Sequence, residues 1–259
     1  MSTTRRQFLK IAGLAAFGLG TSSALDAADA VAKDMPGAKY DVGGKHLAAK
    51  RWAMVIDTRK LESREDFERI IHACHSVHNV PSIPSKQEIK WIWTDKYDRV
   101  FTDDMSQHLS PAVREKDYLL LCNHCENPPC VRVCPTKATF KRADGIVVMD
   151  YHRCIGCRFC MAGCPYGARS FNFGDPRPYL KDVNPAFPTR MRGVVEKCTF
   201  CSERLEVGLL PACVEASNGA ILFGDLDDPN SPVRKALAEN FSIRRKPSIG
   251  TQPGVYYIV

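Results

Sequence analysis

Cysteine spacing constrains this chain more than any other feature. Cys154, Cys157, Cys160 and Cys164, followed by Pro165, form one C-x2-C-x2-C-x3-C-P run. Three closely spaced thiolates wrap one corner of a cubane, and the fourth reaches towards a second cluster. A zinc knuckle uses cysteines in pairs rather than a triplet plus one, and a disulfide framework has no reason to repeat this spacing. The run therefore points to [4Fe–4S] ligation.

A second run lies upstream, with Cys122, Cys125, Cys130 and Cys134 before Pro135. In two-cluster ferredoxins the fourth cysteine of each run ligates the other run's cluster. That rule assigns Cys122, Cys125, Cys130 and Cys164 to a first cluster. It assigns Cys154, Cys157, Cys160 and Cys134 to a second. The prolines suit the crossing: proline lacks an N–H and disfavours helix at the residue before it, so the chain turns away after delivering the thiolate.

Four of the twelve cysteines remain. Cys198, Cys201 and Cys213 form a looser triplet, and Cys74 stands alone. The triplet lacks one partner and Cys74 lacks a cluster, so together they make a third [4Fe–4S] site. Ser217 stands four residues after Cys213, where a crossing thiolate would fall, and residues 59–73 contain no cysteine. A fourth cluster site is therefore read as absent with its ligands lost as a set, the alternative being Ser217 as an oxygen ligand. Cysteine makes up twelve of 259 residues, below the density of a disulfide scaffold. A chain of that length can also bury a core without staples.

The chain opens with Arg5–Arg6 before a short apolar stretch, residues 11–19, and a small-residue region with Ala28–Asp29–Ala30 as a cleavage box. This reads as a twin-arginine export signal over residues 1–30, either removed or kept as an anchor. Residues 31–49 read as a linker. Export by that route, which carries folded proteins, fits clusters inserted in the cytoplasm and a product working in the periplasm or on the outer face of the cytoplasmic membrane. The apolar run is too short to span a bilayer, and no later stretch reaches that length. The net charge of +7 suits a docking face for an acidic redox partner or anionic lipid as well as it suits a plain solvated surface. Nucleic acid is not an expected partner.

The fold class expected is α+β, with short strands, short helices and long loops. A strand is expected at residues 51–57 and an amphipathic helix at residues 61–75, delivering Cys74 near its end. A strand and turn are expected within residues 88–100, and short strands at residues 118–121, 146–149, 220–223 and 254–259. A helix is expected over residues 232–238. Each middle run reads as strand, cysteine loop and short helix. Residues 174–193, with four prolines, read as an extended connection. The crossing scheme then nests one ferredoxin-like module inside another: residues 118–173 form the inner, two-cluster module, and residues 50–117 and 174–259 the outer, one-cluster module. His72, His75 and His78 are read as surface residues or as groups packed behind the cysteines, rather than as haem or metal ligands. No nucleophile–base pair or phosphate loop is present, so no catalytic residue and no substrate site are expected.

Residues 122–130 (CNHCENPPC), 150–157 (DYHRCIGC), 164–169 (CPYGAR), 196–201 (EKCTFC) and 210–215 (LPACVE) resemble the four-cluster ferredoxin-like subunits of membrane-bound oxidoreductases. These include the electron-transfer subunits of polysulfide, dimethyl sulfoxide and formate-dependent nitrite reductase systems. The resemblance covers residues 50–259. It departs at Ser217, at the cysteine-free stretch before Cys74, and at Lys137, where the family often has Gly. Within the family, a twin-arginine signal and a three-cluster pattern look most like the periplasmic subunit associated with sulfite reductase. The resemblance implies an integral-membrane quinone-interacting subunit and a multihaem cytochrome c as partners. It also implies an electron relay in sulfur metabolism. A relay subunit of a molybdopterin oxidoreductase or nitrite reductase system is the alternative.

Overall fold

The computed structural model describes residues 46–104 and 107–259; the expected export signal and nearly all of the expected linker lie outside them. Strand β1 (Trp52–Asp57) is buried along its whole length. It lies in the middle of a four-stranded sheet, antiparallel to β8 (Ile221–Asp225) and parallel to β10 (Val255–Ile258), with β9 (Ser242–Ile243) beyond β10. The burial has two sources. Trp52, Met54 and Ile56 face the main core, while Ala53 and Val55 pack with Val233, Ala236 and Ile258. The Met, Ile and Val side chains among these each contribute roughly 1.5–3 kcal/mol when fully buried.

Helix α1 (Arg64–Val77) starts later than hydrophobic spacing alone suggests. Ser63 caps it, its hydroxyl accepting from the Asp66 N–H at 3.2 Å, which satisfies one of the four unpaired donors of a helix start. Its buried residues are Phe67, Ile70 and Cys74, one face at helical spacing.

The middle of the chain is built from two-stranded pieces. β2 (Ile92–Lys96) pairs with β3 (Asp117–Leu121), and between them lie the short helices α2 (Tyr97–Val100) and α3 (Pro111–Glu115). β4 (Thr139–Lys141) pairs with β5 (Val147–Met149), and β6 (Ser170–Phe171) with β7 (Val195–Glu196). β4, β6, β7 and β9 are two or three residues long, too short for an alternating pattern to show in sequence. Residues 88–100, expected as strand and turn, are strand only over Ile92–Lys96 and helical over Tyr97–Val100. The remaining helices are α4 (Pro129–Arg132), α5 (Phe159–Ala162), α6 (Ser202–Glu206), α7 (Ala212–Glu215) and α8 (Pro232–Glu239). α8 is capped by Ser231 and opens on Pro232. The fold is thus mixed α and β, with short elements. Among the described residues no helix is long and apolar enough to cross a membrane.

Candidate iron–sulfur centres

The three cysteine runs share one backbone design. In each C-x2-C loop the residue before the second cysteine has positive φ: His124 (41°), Gly156 (70°) and Phe200 (54°). Such a residue curls the loop so that backbone N–H groups turn inward, the arrangement of anion-binding concavities. The Phe200 N–H accordingly points at Cys198 Sγ, 3.4 Å away. The third cysteine of each run is the second residue of a one-turn helix: Cys130 in α4, Cys160 in α5 and Cys213 in α7. All three are buried.

The position two residues past each helix also recurs. Cys134 follows α4, Cys164 follows α5 and Ser217 follows α7. The residue between is right-handed in every case, Val133, Gly163 and Ala216. A backbone N–H three residues further on then donates to the carbonyl of Cys134, Cys164 or Ser217. The Ser217 hydroxyl is engaged on both sides, donating to Val214 O at 2.7 Å and accepting from the Ile221 N–H at 3.0 Å.

None of the twelve cysteines is in a disulfide; eight are buried and four half-buried. Cys122, Cys125, Cys130 and Cys164 line one cavity with Tyr166 and Arg169. Burial, and then Cys122, Cys130 and Cys164, push the Cys125 thiol up to about 12. Cys74 on α1 is likewise raised by burial and then by Cys198, Cys201 and Cys213, and α1 packs on α7. Cys213 is raised to about 12 by burial. In the remaining set Cys160 is raised by burial, with Cys130 and Cys154 among its neighbours. Cys134, Cys154 and Cys157 are half-buried. Burial of Cys134 is outweighed by backbone N–H groups of Thr139, Ala138 and Thr136 and the Thr136 hydroxyl, and its thiol is lowered. Like-charged thiolates gathered out of water repel one another unless a cation joins them. Groups of this kind fit iron–sulfur ligation, in which the thiolate is the bound form.

Charged groups stand behind these thiols that spacing did not reveal. Arg169 and Lys197 are both buried. The Lys197 ammonium donates to the Val147 and Cys198 carbonyls. Of the three histidines singled out in the sequence, His72 is exposed and His75 is half-buried with Nε2 unpartnered. His78 is buried and stacks on Trp91 at 4.7 Å, Nδ1 lying 2.7 Å from Cys74 O and Nε2 2.8 Å from the Glu203 carboxylate. His78, Glu203 and Cys201 could together hold a cation, but Cys201 already belongs to the cysteine set around Cys74.

The 4Fe–4S dicluster domain family matches residues 118–175, which hold the first two runs. The Hdr-like menaquinol oxidoreductase iron–sulfur subunit 1 of Archaeoglobus fulgidus is 43% identical over 228 residues, covering 80% of this chain and 83% of the relative. The chain belongs to the ferredoxin-like iron–sulfur electron-transfer subunits. Other members of this family are similar over a shorter span. The putative iron–sulfur subunit of the dimethyl sulfoxide reductase of Halobacterium salinarum is 53% identical over 53% of each chain. The corresponding polypeptide of the polysulfide reductase of Wolinella succinogenes is 41% identical over 53% of this chain and 64% of its own length.

Proposed function

We propose that this family member relays single electrons through three [4Fe–4S] clusters. The ligand sets are Cys122, Cys125, Cys130 and Cys164; Cys154, Cys157, Cys160 and Cys134; and Cys198, Cys201, Cys213 and Cys74. When bound, each cluster takes up and gives up one electron at a time. The protein's part is to hold the thiols, exclude water and position charge and hydrogen bonds near sulfur. The observation that carries the reading is the common design of the three runs, together with the burial of Cys74 against the last of them. The pairing of β1 with β8 and the packing of α1 on α7 support an outer module split across the chain around residues 118–173.

The same reading puts the protein on the outer face of the cytoplasmic membrane after twin-arginine export. There it would link a membrane quinone-interacting subunit to haem or other redox subunits, a multihaem cytochrome c among them, in a sulfur-metabolism complex. The names of two relatives, a menaquinol oxidoreductase and a polysulfide reductase, support the quinone and sulfur parts. A second reading, the relay of a molybdopterin oxidoreductase, draws on the dimethyl sulfoxide reductase relative. Copurification with a pterin-containing subunit would favour it over a cytochrome partner.

The test is iron and acid-labile sulfide on anaerobically purified protein, with EPR of the reduced form. About twelve of each per chain is the expected result for three cubanes. About eight would reject the Cys74 site, and none would reject the relay.

A further inference from the structure

The geometry points to Arg169 as the cation that sets the reduction potentials of the first and second clusters together. This rests on the cluster reading above. Arg169 is 5% exposed, and among the described residues it makes no ion pair with a carboxylate. One guanidinium nitrogen, Nη2, donates to Cys130 Sγ at 3.1 Å and to Thr139 Oγ1 at 2.8 Å; the other, Nη1, lies 3.6 Å from Met149 Sδ. The charge faces Cys130 and Cys122 of the first set and Cys160 of the second.

A buried guanidinium is costly unless a counter-charge meets it, and it stays protonated at any accessible pH. Here the groups that meet it are sulfurs from two cysteine sets. A thiolate-ligated cubane is anionic and becomes more so on reduction. A fixed cation beside it therefore favours the reduced form and raises the potential, as does a hydrogen bond to a ligand sulfur. Because one guanidinium serves both sets, it also weakens the repulsion between two reduced clusters. Thr139, on β4, holds the guanidinium in place, and its own hydroxyl donates to Val148 O on β5. Arg169 thus acts through Cys130 and Cys160 as a positioning residue.

The experiment is an EPR-monitored redox titration of the full chain as wild type, R169Q and R169K, with iron measured on each. R169Q is expected to lower the potentials of the first two clusters by at least tenfold in the reduction equilibrium, about 59 mV for a one-electron couple, and to leave the third unchanged. R169K, which keeps the charge and gives up the fork, is expected to retain most of the wild-type potential. Unchanged potentials in an iron-replete R169Q overturn the inference, as does an R169K that falls as far as R169Q. Should R169Q bind no iron, pulsed EPR of reduced wild-type protein carrying 15N-labelled arginine decides. Nitrogen coupling to both the first and the second cluster upholds the inference, and its absence at either overturns it. Wild-type protein without iron would instead sink the cluster reading itself.

Discussion

Ser217 holds, two residues beyond α7, the place that Cys164 holds beyond α5. The two sites share the right-handed residue before them and the N–H to C=O turn after them. The turns are wound differently, left-handed at Asn218 and Gly219 after Ser217 and at Gly167 after Cys164, and the side-chain chemistry differs too. The serine hydroxyl is turned to the backbone, bridging Val214 O and the Ile221 N–H.

This predicts separable effects at Ser217 and Cys74. S217A leaves the buried Ile221 N–H without its acceptor and is expected to cost roughly 1–3 kcal/mol in urea unfolding, with iron content unchanged. S217C is expected to add no iron, because residues 59–73 supply no further thiols. C74S is expected to lower iron from about twelve to about eight per chain. A loss of iron in S217A, or none in C74S, would count against the assignment.

Lys137 and Gly167 sit in the same turn after Cys134 and Cys164, with φ of 54° and 64°. Lysine in the left-handed region carries a steric cost that glycine does not, partly offset by glycine's greater freedom when unfolded. K137G is expected to stabilise the protein by about 0.5–1 kcal/mol and G167A to destabilise it by about 1 kcal/mol. Opposite signs in paired thermal melts are the check.

Glu196 and Arg190 form an ion pair at 2.7 Å with neither side chain exposed. Glu196 also accepts from Trp91 Nε1 at 2.8 Å, and Arg190 donates to the His78 and Asn79 carbonyls. Removing one charge leaves the other buried alone. E196Q is therefore expected to destabilise by roughly 3–5 kcal/mol. Denaturant unfolding measures it, and a loss under about 1 kcal/mol would show that the pair is exchangeable.

The Arg59 guanidinium beside Asp57 holds its carboxyl below the ordinary value of 3.8. Below that value the unfolded chain binds the proton first. The contribution is therefore complete above pH 3.8 and is lost as the pH falls towards the folded value. D57N is expected to flatten this acid limb while leaving the pH dependence near neutrality alone. An unchanged limb below pH 3.8 would reject the assignment.

The cysteine runs were legible because ligand spacing is a local constraint written in adjacent residues. So were most of α1, whose apolar pattern is long enough to carry a helical period, β1 as a short apolar run, and α8 as a helix start on Pro232 after a polar turn. β4, β6, β7 and β9 were not, since pairing rather than propensity makes such short strands. Arg169 and Lys197 were also hidden. In sequence each is an ordinary basic residue, and only burial beside sulfur or carbonyl oxygen sets it apart.

The order of residues dictated where thiols are delivered in closely spaced sets, which residue ends each set, and that Ser217 stands where the other two runs have Cys134 and Cys164. Those properties depend on covalent spacing and local turns, which a short peptide segment already encodes. What surrounds the thiols emerged only on folding: Arg169 between two cysteine sets and Glu196 closed on Arg190. Each is an electrostatic contact between groups withdrawn from water. Its strength comes from the low dielectric and the fixed separation that only the assembled core supplies.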